Sequence, residues 1–184
     1  MQNEDIKSWK IRVLDTKSES FCGAKWFNST IWLRPGRTAS CHHNPGHNID
    51  LEEIKTNPSA IHNTAIKKEE RRMMQRGEKP LNCQYCWTYE ELHPDNLGDR
   101  VFLSNPSSEE DLQLAFDAPW DEVIDLDYIE VAFDRTCQMA CSYCWPGAST
   151  TWVKDLKKNG PYVNLPTDIR NLHSHASYDD DGFD

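Results

Sequence analysis

The sequence lacks the long apolar segments of a membrane protein. No run of eighteen apolar residues, the length at which a spanning helix is expected, occurs in its 184 residues. It has no apolar signal segment at its start, and its seven cysteines are an odd number. Both features are typical of a reducing compartment, where disulfides are rare. We therefore expect a cytoplasmic protein without a membrane segment.

Clustered positive charge is also scarce in the second half of the chain. The first hundred residues carry 15 lysines and arginines against 14 acidic residues, whereas residues 101–184 carry 5 against 16. The formal net charge is −10. Binding to nucleic acid requires lysines and arginines that are clustered for phosphate contacts. Nucleic acid is therefore not an expected partner.

Three of the cysteines lie within eight residues. Cys137, Cys141 and Cys144 have the spacing C-x3-C-x2-C, and Tyr143 precedes the last of them. Cysteine thiolates are the usual ligands of iron–sulfur clusters, and three of them leave one iron of a four-iron cluster open for another ligand. Zinc is a poorer match, because no fourth ligand follows nearby. The spacing therefore favours an iron–sulfur cluster with one open position.

The residues around this loop predict a strand before it and a helix after it. Apolar residues alternate along 128–133, and this period of two is typical of a strand. Ser149 or Thr150 is the candidate N-cap of a helix that runs to about Lys158, and Gly160 suits its end.

Strand, cysteine loop and helix together resemble the start of the radical S-adenosylmethionine (radical SAM) enzymes, whose cluster loop follows the first strand of a β/α barrel. The resemblance implies that Cys137, Cys141 and Cys144 hold a 4Fe-4S cluster whose open iron is chelated by S-adenosylmethionine. It also implies that Tyr143 packs beside the cluster or the adenine, with simple packing inside the loop as the alternative.

The activity implied by this resemblance is reductive cleavage of S-adenosylmethionine. The product would be a 5′-deoxyadenosyl radical, which abstracts hydrogen from a peptide or a small-molecule substrate. A reductant such as flavodoxin or ferredoxin is the implied electron donor.

The other four cysteines also have the spacing of a metal site. Cys83 and Cys86 form a C-x2-C knuckle, in which two thiolates can reach one metal from a tight turn. Cys22 and Cys41 flank a predicted hairpin with its turn at 34–37, and a hairpin brings its two ends together. Four thiolates suit iron–sulfur and zinc alike.

This half of the chain resembles the auxiliary-cluster segment, called twitch or SPASM-like, that accompanies many radical SAM proteins. The likeness lies in five stretches, Phe21–Trp26, Arg34–Cys41, Leu51–Ile54, Arg71–Pro80 and Cys83–Cys86. It implies a second iron–sulfur cluster at the four cysteines named above, with zinc as the alternative.

Two histidines stand at a point where the sequence departs from the family. His42 and His43 follow Cys41, where the family commonly has another cysteine. We expect both histidines to be exposed turn residues. If Cys41 is displaced, His42 is the alternative ligand, and an imidazole ligand raises the potential of a cluster.

A basic helix is predicted over residues 59–76. One of its faces carries Lys67, Lys68, Arg71, Arg72 and Arg76. We expect this face to be solvated, with its charges paired to Glu69 and Glu70. Binding of an acidic peptide or a phosphate is the alternative.

The predicted fold class is α+β, in four segments. Residues 1–92 form the cysteine-rich auxiliary segment, built from a hairpin and helices, and residues 93–125 form a linker with a short helix at 109–116 capped by Ser108. Residues 126–160 form the first strand, cluster loop and helix of a radical SAM barrel, and residues 161–184 form an acidic tail predicted to be disordered.

The barrel is expected to be incomplete. A barrel of this kind needs at least about six β/α units, and the glycine-glycine-glutamate stretch of the family is absent. We therefore expect the N-terminal part of a radical SAM protein, with a complementary chain that carries the rest of the barrel as its partner. A non-catalytic iron–sulfur or zinc module for binding or electron transfer, or a truncated remnant, is the alternative.

Overall fold

The computed structural model describes residues 4–134, 136–144, 146 and 149–160. The chain is α+β, as predicted. It divides into two compact units, the first formed by Met1–Ile31 with Gly36–Val131 and the second by Trp32–Pro35 with Ala132–Asp184. The predicted tail at 161–184 lies outside the described residues. In the part of the chain that the structure describes, no helix is both long and apolar enough to cross a bilayer.

Short helices make up most of the first unit. In chain order they are α1 (Ile6–Trp9, continued as a π-helix over Lys10–Asp15), α2 (Ala24–Phe27), α3 (Leu51–Ile54), a 3₁₀ turn (Pro58–Ile61), α4 (Ala65–Gln75), a 3₁₀ turn (Leu81–Cys83), α5 (Gln84–Leu92), α6 (Asp99–Ser104) and α7 (Glu109–Asp117). The cap of α7 is the predicted one, because Ser108 accepts a hydrogen bond from the backbone N–H of Asp111.

Four strands form one sheet, in the order β3-β2-β1-β4. They are β1 (Asn28–Trp32), β2 (Arg37–Ala39), β3 (His47–Asn48) and β4 (Tyr128–Ala132). The turn between β1 and β2 contains Gly36 at φ +61°, in the left-handed region that favours glycine. β2 pairs antiparallel with β3, with Thr38 opposite His47.

The predicted hairpin is confirmed, but its first strand starts later than expected. Trp26 and Phe27 belong to α2, and β1 begins at Asn28. The hydroxyl of Thr38 on β2 donates to the carbonyl oxygen of Thr30 on β1 at 3.0 Å. A short helix therefore takes the two aromatic residues into the core before the chain turns into the sheet.

Strand β4 confirms the strand predicted before the cysteine loop. It lies beside β1, at one end of the strand order. The N–H of Asp127 donates to the carbonyl oxygen of Phe27 at 2.8 Å where the pair begins. The side chains of Tyr128 and Ile129 are 54% and 56% exposed, so the apolar residues of this strand are largely uncovered in the first unit.

The core of the first unit is built mainly from helices. Its members are Trp9, Val13, Leu14, Phe21, Trp26, Phe27, Met74, Cys86, Trp87, Val101, Leu112 and Ala115. Val101 lies on α6, and Leu112 and Ala115 lie on α7. Residues 93–125, predicted to be a linker, therefore contribute two helices to this core.

Helix α4 buries its charged face. Lys67, Glu70 and Arg71 are each less than 5% exposed. The Arg71 guanidinium donates to the buried carbonyl oxygens of Lys25 and Trp26 at 3.1 and 3.4 Å. The prediction of a solvated face is wrong at Lys67 and Arg71, because these two cations donate to backbone carbonyls of other segments.

The second unit contains one described helix, α8 (Thr150–Asn159). It follows Ser149 and ends at Gly160, whose φ of +81° again favours glycine. These bounds confirm the helix predicted after the cysteine loop. In the same unit, the N–H of Leu33 donates to the carbonyl oxygen of Ala132 at 3.0 Å.

Replacing the buried Arg71 tests the role of this charged face. Arg71→Leu removes the donor for two buried carbonyls, so we expect a loss of about 3 kcal/mol or more in the free energy of unfolding. Arg72→Leu, on the same helix, is the matched control, because Arg72 makes a part-exposed pair with Glu69 and its loss costs about 1 kcal/mol at most. Equal losses in urea denaturation would contradict the assignment.

Acid should weaken the first unit through a buried histidine. Burial lowers the pKa of His47 to about 4, whereas an unfolded histidine titrates near 6.5. Stability that is present above pH 6.5 is therefore lost as the pH falls towards 4, by up to about 3 kcal/mol for this group. We expect His47→Gln to flatten this part of the stability–pH curve. The exposed His93→Gln is the control, and an unchanged slope in His47→Gln would contradict the prediction.

Candidate metal centres

The structure brings the four auxiliary cysteines to one pocket in the first unit. Cys22 precedes α2, Cys41 follows β2, Cys83 ends a 3₁₀ turn and Cys86 lies in the first turn of α5. All four line a pocket with about 410 Å³ of unfilled space, part of it open to solvent. All seven cysteines of the chain are free thiols. Segments that are far apart in the sequence thus deliver four potential ligands to one place.

Two glycines permit the close packing of the segments that carry these thiols. A Cβ on Gly98 would lie 2.9 Å from the Cβ of Cys86, so a side chain there would push α5 away. A Cβ on Gly23 would lie 2.6 Å from Leu112. The N–H of Gly23, next to Cys22, donates to the Ser104 hydroxyl at 2.8 Å. Backbone contact at these two points fixes Cys22 and Cys86 against α6 and α7.

A buried lysine faces the four thiols. Lys25 lies within the helical turn after Cys22, and its ammonium pairs with Glu70 at 2.5 Å and donates to the sulfur of Cys83. Burial alone would lower the pKa of Lys25, but Cys83 and Glu70 outweigh it, and the net shift is upward. The pocket therefore holds a fixed positive charge, which favours thiolates and other anions.

A buried arginine stands on the other side of the pocket. The Arg100 guanidinium donates to the carbonyl oxygen of Phe21 at 2.9 Å and pairs with Glu90 and Asp15 at 2.7 and 3.1 Å. The backbone N–H of Arg100 donates to the thiol of Cys86. Hydrogen bonds to sulfur are one of the means by which proteins tune iron–sulfur clusters.

Burial keeps the thiols of the pocket protonated. It raises the pKa of Cys22 to about 12, helped by the neighbouring thiols, and the pKa of Cys86 to about 11. Burial also raises the pKa of Cys83, against the opposing effect of Lys25. A metal binds the thiolate form, so metal binding here must release protons and becomes tighter as the pH rises.

The spacing of the thiols bears on the choice of metal. Around a single zinc ion, with Zn–S bonds of about 2.3 Å, four sulfurs would lie about 3.8 Å apart. Among the described residues, which include all seven cysteines, no three thiol sulfurs lie within 4.8 Å of one another. An iron–sulfur cluster binds each thiolate to a different iron, so its ligands stand farther apart. The thiols are thus not grouped tightly enough around one point to identify the metal, and the choice between a cluster and zinc stays a prediction.

The two histidines after Cys41 differ from each other. The side chain of His42 is 66% exposed, as predicted, but His43 is only 22% exposed and lines the four-thiol pocket. His43 stacks on Tyr85 with ring centroids 3.5 Å apart. Cys41 itself lines the pocket, so the structure gives no reason to replace it with His42 as a ligand.

A second, more open pocket adjoins Cys41. It contains about 970 Å³ of space, including open solvent, and its lining includes Cys41, His42, Asp127 and Glu130. The wall carries two carboxylates, those of Asp127 and Glu130. Cys41 thus lies between the four-thiol pocket and a surface to which a ligand has access.

In the second unit, the first turn of α8 fixes the loop that carries the other three cysteines. The hydroxyls of Thr150 and Thr151 donate to the carbonyl oxygen of Cys137 at 3.2 and 2.6 Å. The indole N–H of Trp152 donates to the carbonyl oxygen of Cys141 at 3.1 Å. These bonds tie the loop backbone to the first turn of α8.

Tyr143 projects from this loop and is 89% exposed. A hydrogen bond with the Cys141 thiol raises the pKa of Tyr143, and the thiols of Cys137 and Cys144 add to the shift. All three thiols therefore lie close enough to the phenol to affect its pKa. Simple packing inside the loop is not what the structure has, and contact with a cofactor stays a prediction.

Two charged residues of the four-thiol pocket could not be found from cysteine spacing. Lys25 and Arg100 carry no motif, and they reach the site only through the packing of α2 and α6. The one available signal was the glycine at 98 directly before two charged residues, which can mark a close backbone approach.

The chain matches no family model, no curated protein and no solved structure. The geometry of its own residues therefore carries the functional argument.

Removing one thiol tests whether a metal stabilises the first unit. We expect Cys83→Ala to lower the melting temperature of the metal-reconstituted protein by roughly 10 °C or more, because a bound metal contributes to folding energy. A strong chelator should lower the melting temperature of the unsubstituted protein by a similar amount and leave Cys83→Ala unchanged. Cys144→Ala, in the second unit, is the control. An unchanged melting curve for Cys83→Ala would argue against any metal at this pocket.

Proposed function

We propose that this chain is an iron–sulfur protein of the radical SAM type. The observation that carries the proposal is the division of its seven free thiols into two groups: four line one pocket of the first unit, and three lie on one loop of the second. No cysteine is left over. Two separate sets of thiolates suit two clusters, one with four protein ligands and one with three.

The four-thiol pocket suits an auxiliary cluster. Four thiolates in one pocket supply a ligand for each iron of a four-iron cluster. A cluster with four thiolates is an anion, and burying it requires compensating positive charge. Lys25 and Arg100 are the cations that line the pocket, and both are already paired with carboxylates of the first unit. Trp87 lines the same pocket and helps to exclude water.

The loop between β4 and α8 suits the catalytic cluster of a radical SAM enzyme. Three thiolates leave one iron without a protein ligand, and the resemblance assigns that position to S-adenosylmethionine. With a bound cluster and S-adenosylmethionine, the chemistry supplied is one-electron cleavage to a 5′-deoxyadenosyl radical, which takes hydrogen from a peptide or small-molecule substrate. The task of the chain is to fix the loop, through Thr150, Thr151 and Trp152, and to present Tyr143 beside it.

The partner we propose is a complementary chain that carries further barrel strands. β4 lies at one end of the sheet order, and Tyr128 and Ile129 on it are more than half exposed. An apolar strand at a sheet edge readily pairs with another strand. A flavodoxin or ferredoxin in a reducing cytoplasm would then supply the electron.

A second candidate function is electron transfer or binding without radical chemistry. The four-thiol pocket favours it, because that pocket is built from residues of the first unit alone and needs no barrel. A zinc ion there would make the first unit a zinc-stabilised binding domain.

Metal content and electron paramagnetic resonance (EPR) separate these functions. After anaerobic reconstitution we expect about eight irons per chain, or about six if the auxiliary cluster has two irons. We also expect the EPR spectrum of the reduced protein to change when S-adenosylmethionine is added. Iron without that change would favour an electron carrier, and about one zinc per chain with little iron would contradict the proposal.

Paired cysteine variants test the division of the thiols. Cys141→Ala should remove the iron that responds to S-adenosylmethionine and keep the auxiliary iron, whereas Cys83→Ala should do the reverse. The two variants share no ligand, so each serves as the control for the other. Equal loss of both kinds of iron in either folded variant would show that the division is wrong.

A further inference from the structure

We propose that His42, His43 and Asp99 form a binding site for a divalent first-row cation such as Mn²⁺, Fe²⁺ or Zn²⁺, separate from both sets of thiols. The Nε2 atoms of His42 and His43 lie 3.4 and 2.6 Å from the same carboxylate oxygen of Asp99. Among the described residues, this is the one set of three histidine, cysteine or acidic side chains whose ligand atoms all lie within 4.8 Å of one another.

The separations match those of three ligands on one face of a metal ion. With metal–ligand bonds of about 2.1 Å at right angles, neighbouring ligand atoms lie about 3.0 Å apart. The measured 2.6 and 3.4 Å lie on either side of that value. Two imidazoles and one carboxylate on a single face leave the remaining coordination positions open, an arrangement found with ferrous iron and similar cations.

The surroundings hold two of the ligands in place and leave the third accessible. His43 is fixed by its stacking on Tyr85, with ring planes 11° apart. Asp99 begins α6, next to Gly98, whose close approach to Cys86 fixes the backbone there. His42 is mostly exposed and lines the open pocket beside Cys41. Water or the oxygen atoms of a ligand in that pocket can therefore fill the open positions.

The ligand types separate this site from the four-thiol pocket. Thiolates prefer soft ions and iron–sulfur clusters, whereas imidazole and carboxylate accept harder cations. Mn²⁺ is thus a selective probe, because the thiols compete poorly for it. The proposal does not rest on the proposed function, since Mn²⁺ binding requires no cluster.

The test is a titration of the full-length, reduced chain with Mn²⁺, followed through the EPR signal of the free ion. We expect one Mn²⁺ per chain, with affinity reduced at least about tenfold in His43→Gln and in Asp99→Asn. The double variant His93→Gln with Asp95→Asn is the matched control, because this exposed pair, 3.7 Å apart, has a single histidine. It should bind as the unsubstituted chain does.

Pulsed EPR of Mn²⁺ bound to the unsubstituted chain provides a second readout that needs no variant. Couplings to the nitrogens of two imidazoles are expected, and His42→Gln should remove one of them. Absence of binding at millimolar Mn²⁺ would show that the three side chains form a hydrogen-bonded cluster only and would overturn the proposal. So would binding that persists in folded Asp99→Asn, or bound Mn²⁺ without nitrogen couplings.

Discussion

A single buried guanidinium ties together the segments that carry the four-thiol pocket. Arg100 donates to the carbonyl oxygen of Phe21, directly before Cys22, and its backbone N–H meets the thiol of Cys86. Its pairs with Glu90 and Asp15 connect α5 and the end of the π-helix to the same point. Such a cation is stable in the interior only while all these acceptors are in place. The position of the thiols and the packing of the helices therefore depend on each other.

The interior of the first unit contains more charge than a domain of this size usually buries. Lys25, Lys67, Arg71 and Arg100 are each at most 2% exposed. Burial lowers the pKa of Arg71 to about 10 and that of Lys67 well below its usual value. Burial also acts to lower the pKa of Lys25, but Cys83 and Glu70 outweigh it and raise that pKa. The pKa values shift in opposite directions because the partners differ. Lys25 lies beside the carboxylate of Glu70, whereas Lys67 and Arg71 donate to neutral backbone carbonyls. An anionic centre at the thiols would stabilise Lys25 and Arg100 further, in addition to their carboxylate partners.

Local sequence signals predicted the elements that depend on local chemistry. The cap at Ser108, the glycine that ends α8, the hairpin turn at Gly36 and the strand before the cysteine loop follow from backbone preferences and periodicity, and the structure confirms them. The convergence of Cys22, Cys41, Cys83 and Cys86 was predictable because a hairpin and a knuckle have few ways to share a metal.

Features that depend on contacts between distant segments could not be predicted from the sequence. Lys67 and Arg71 of α4 are buried, because they have acceptors on other segments that no helical pattern shows. The stretch 93–125 contains few strong apolar periods, yet Val101 and Leu112 belong to the core. His43 faces the pocket because Tyr85 and Asp99 hold it there. In each case the deciding partner lies far along the chain, so local composition contained no trace of it.

The four-thiol pocket and the proposed cation site lie close together but offer different ligands, thiols in the first and imidazoles with a carboxylate in the second. Buried thiols that must lose protons select a centre able to replace those protons with strong metal–sulfur bonds. The imidazoles and carboxylate of the proposed cation site require no such deprotonation of buried sulfur, and they lie at a surface that water reaches. Soft metal ions would therefore prefer the thiols, and harder cations would prefer the imidazoles and the carboxylate, although the two sites share the segment 41–43. A ligand bound in the open pocket beside Cys41 and His42 would therefore meet a cation at the proposed site through its oxygen atoms.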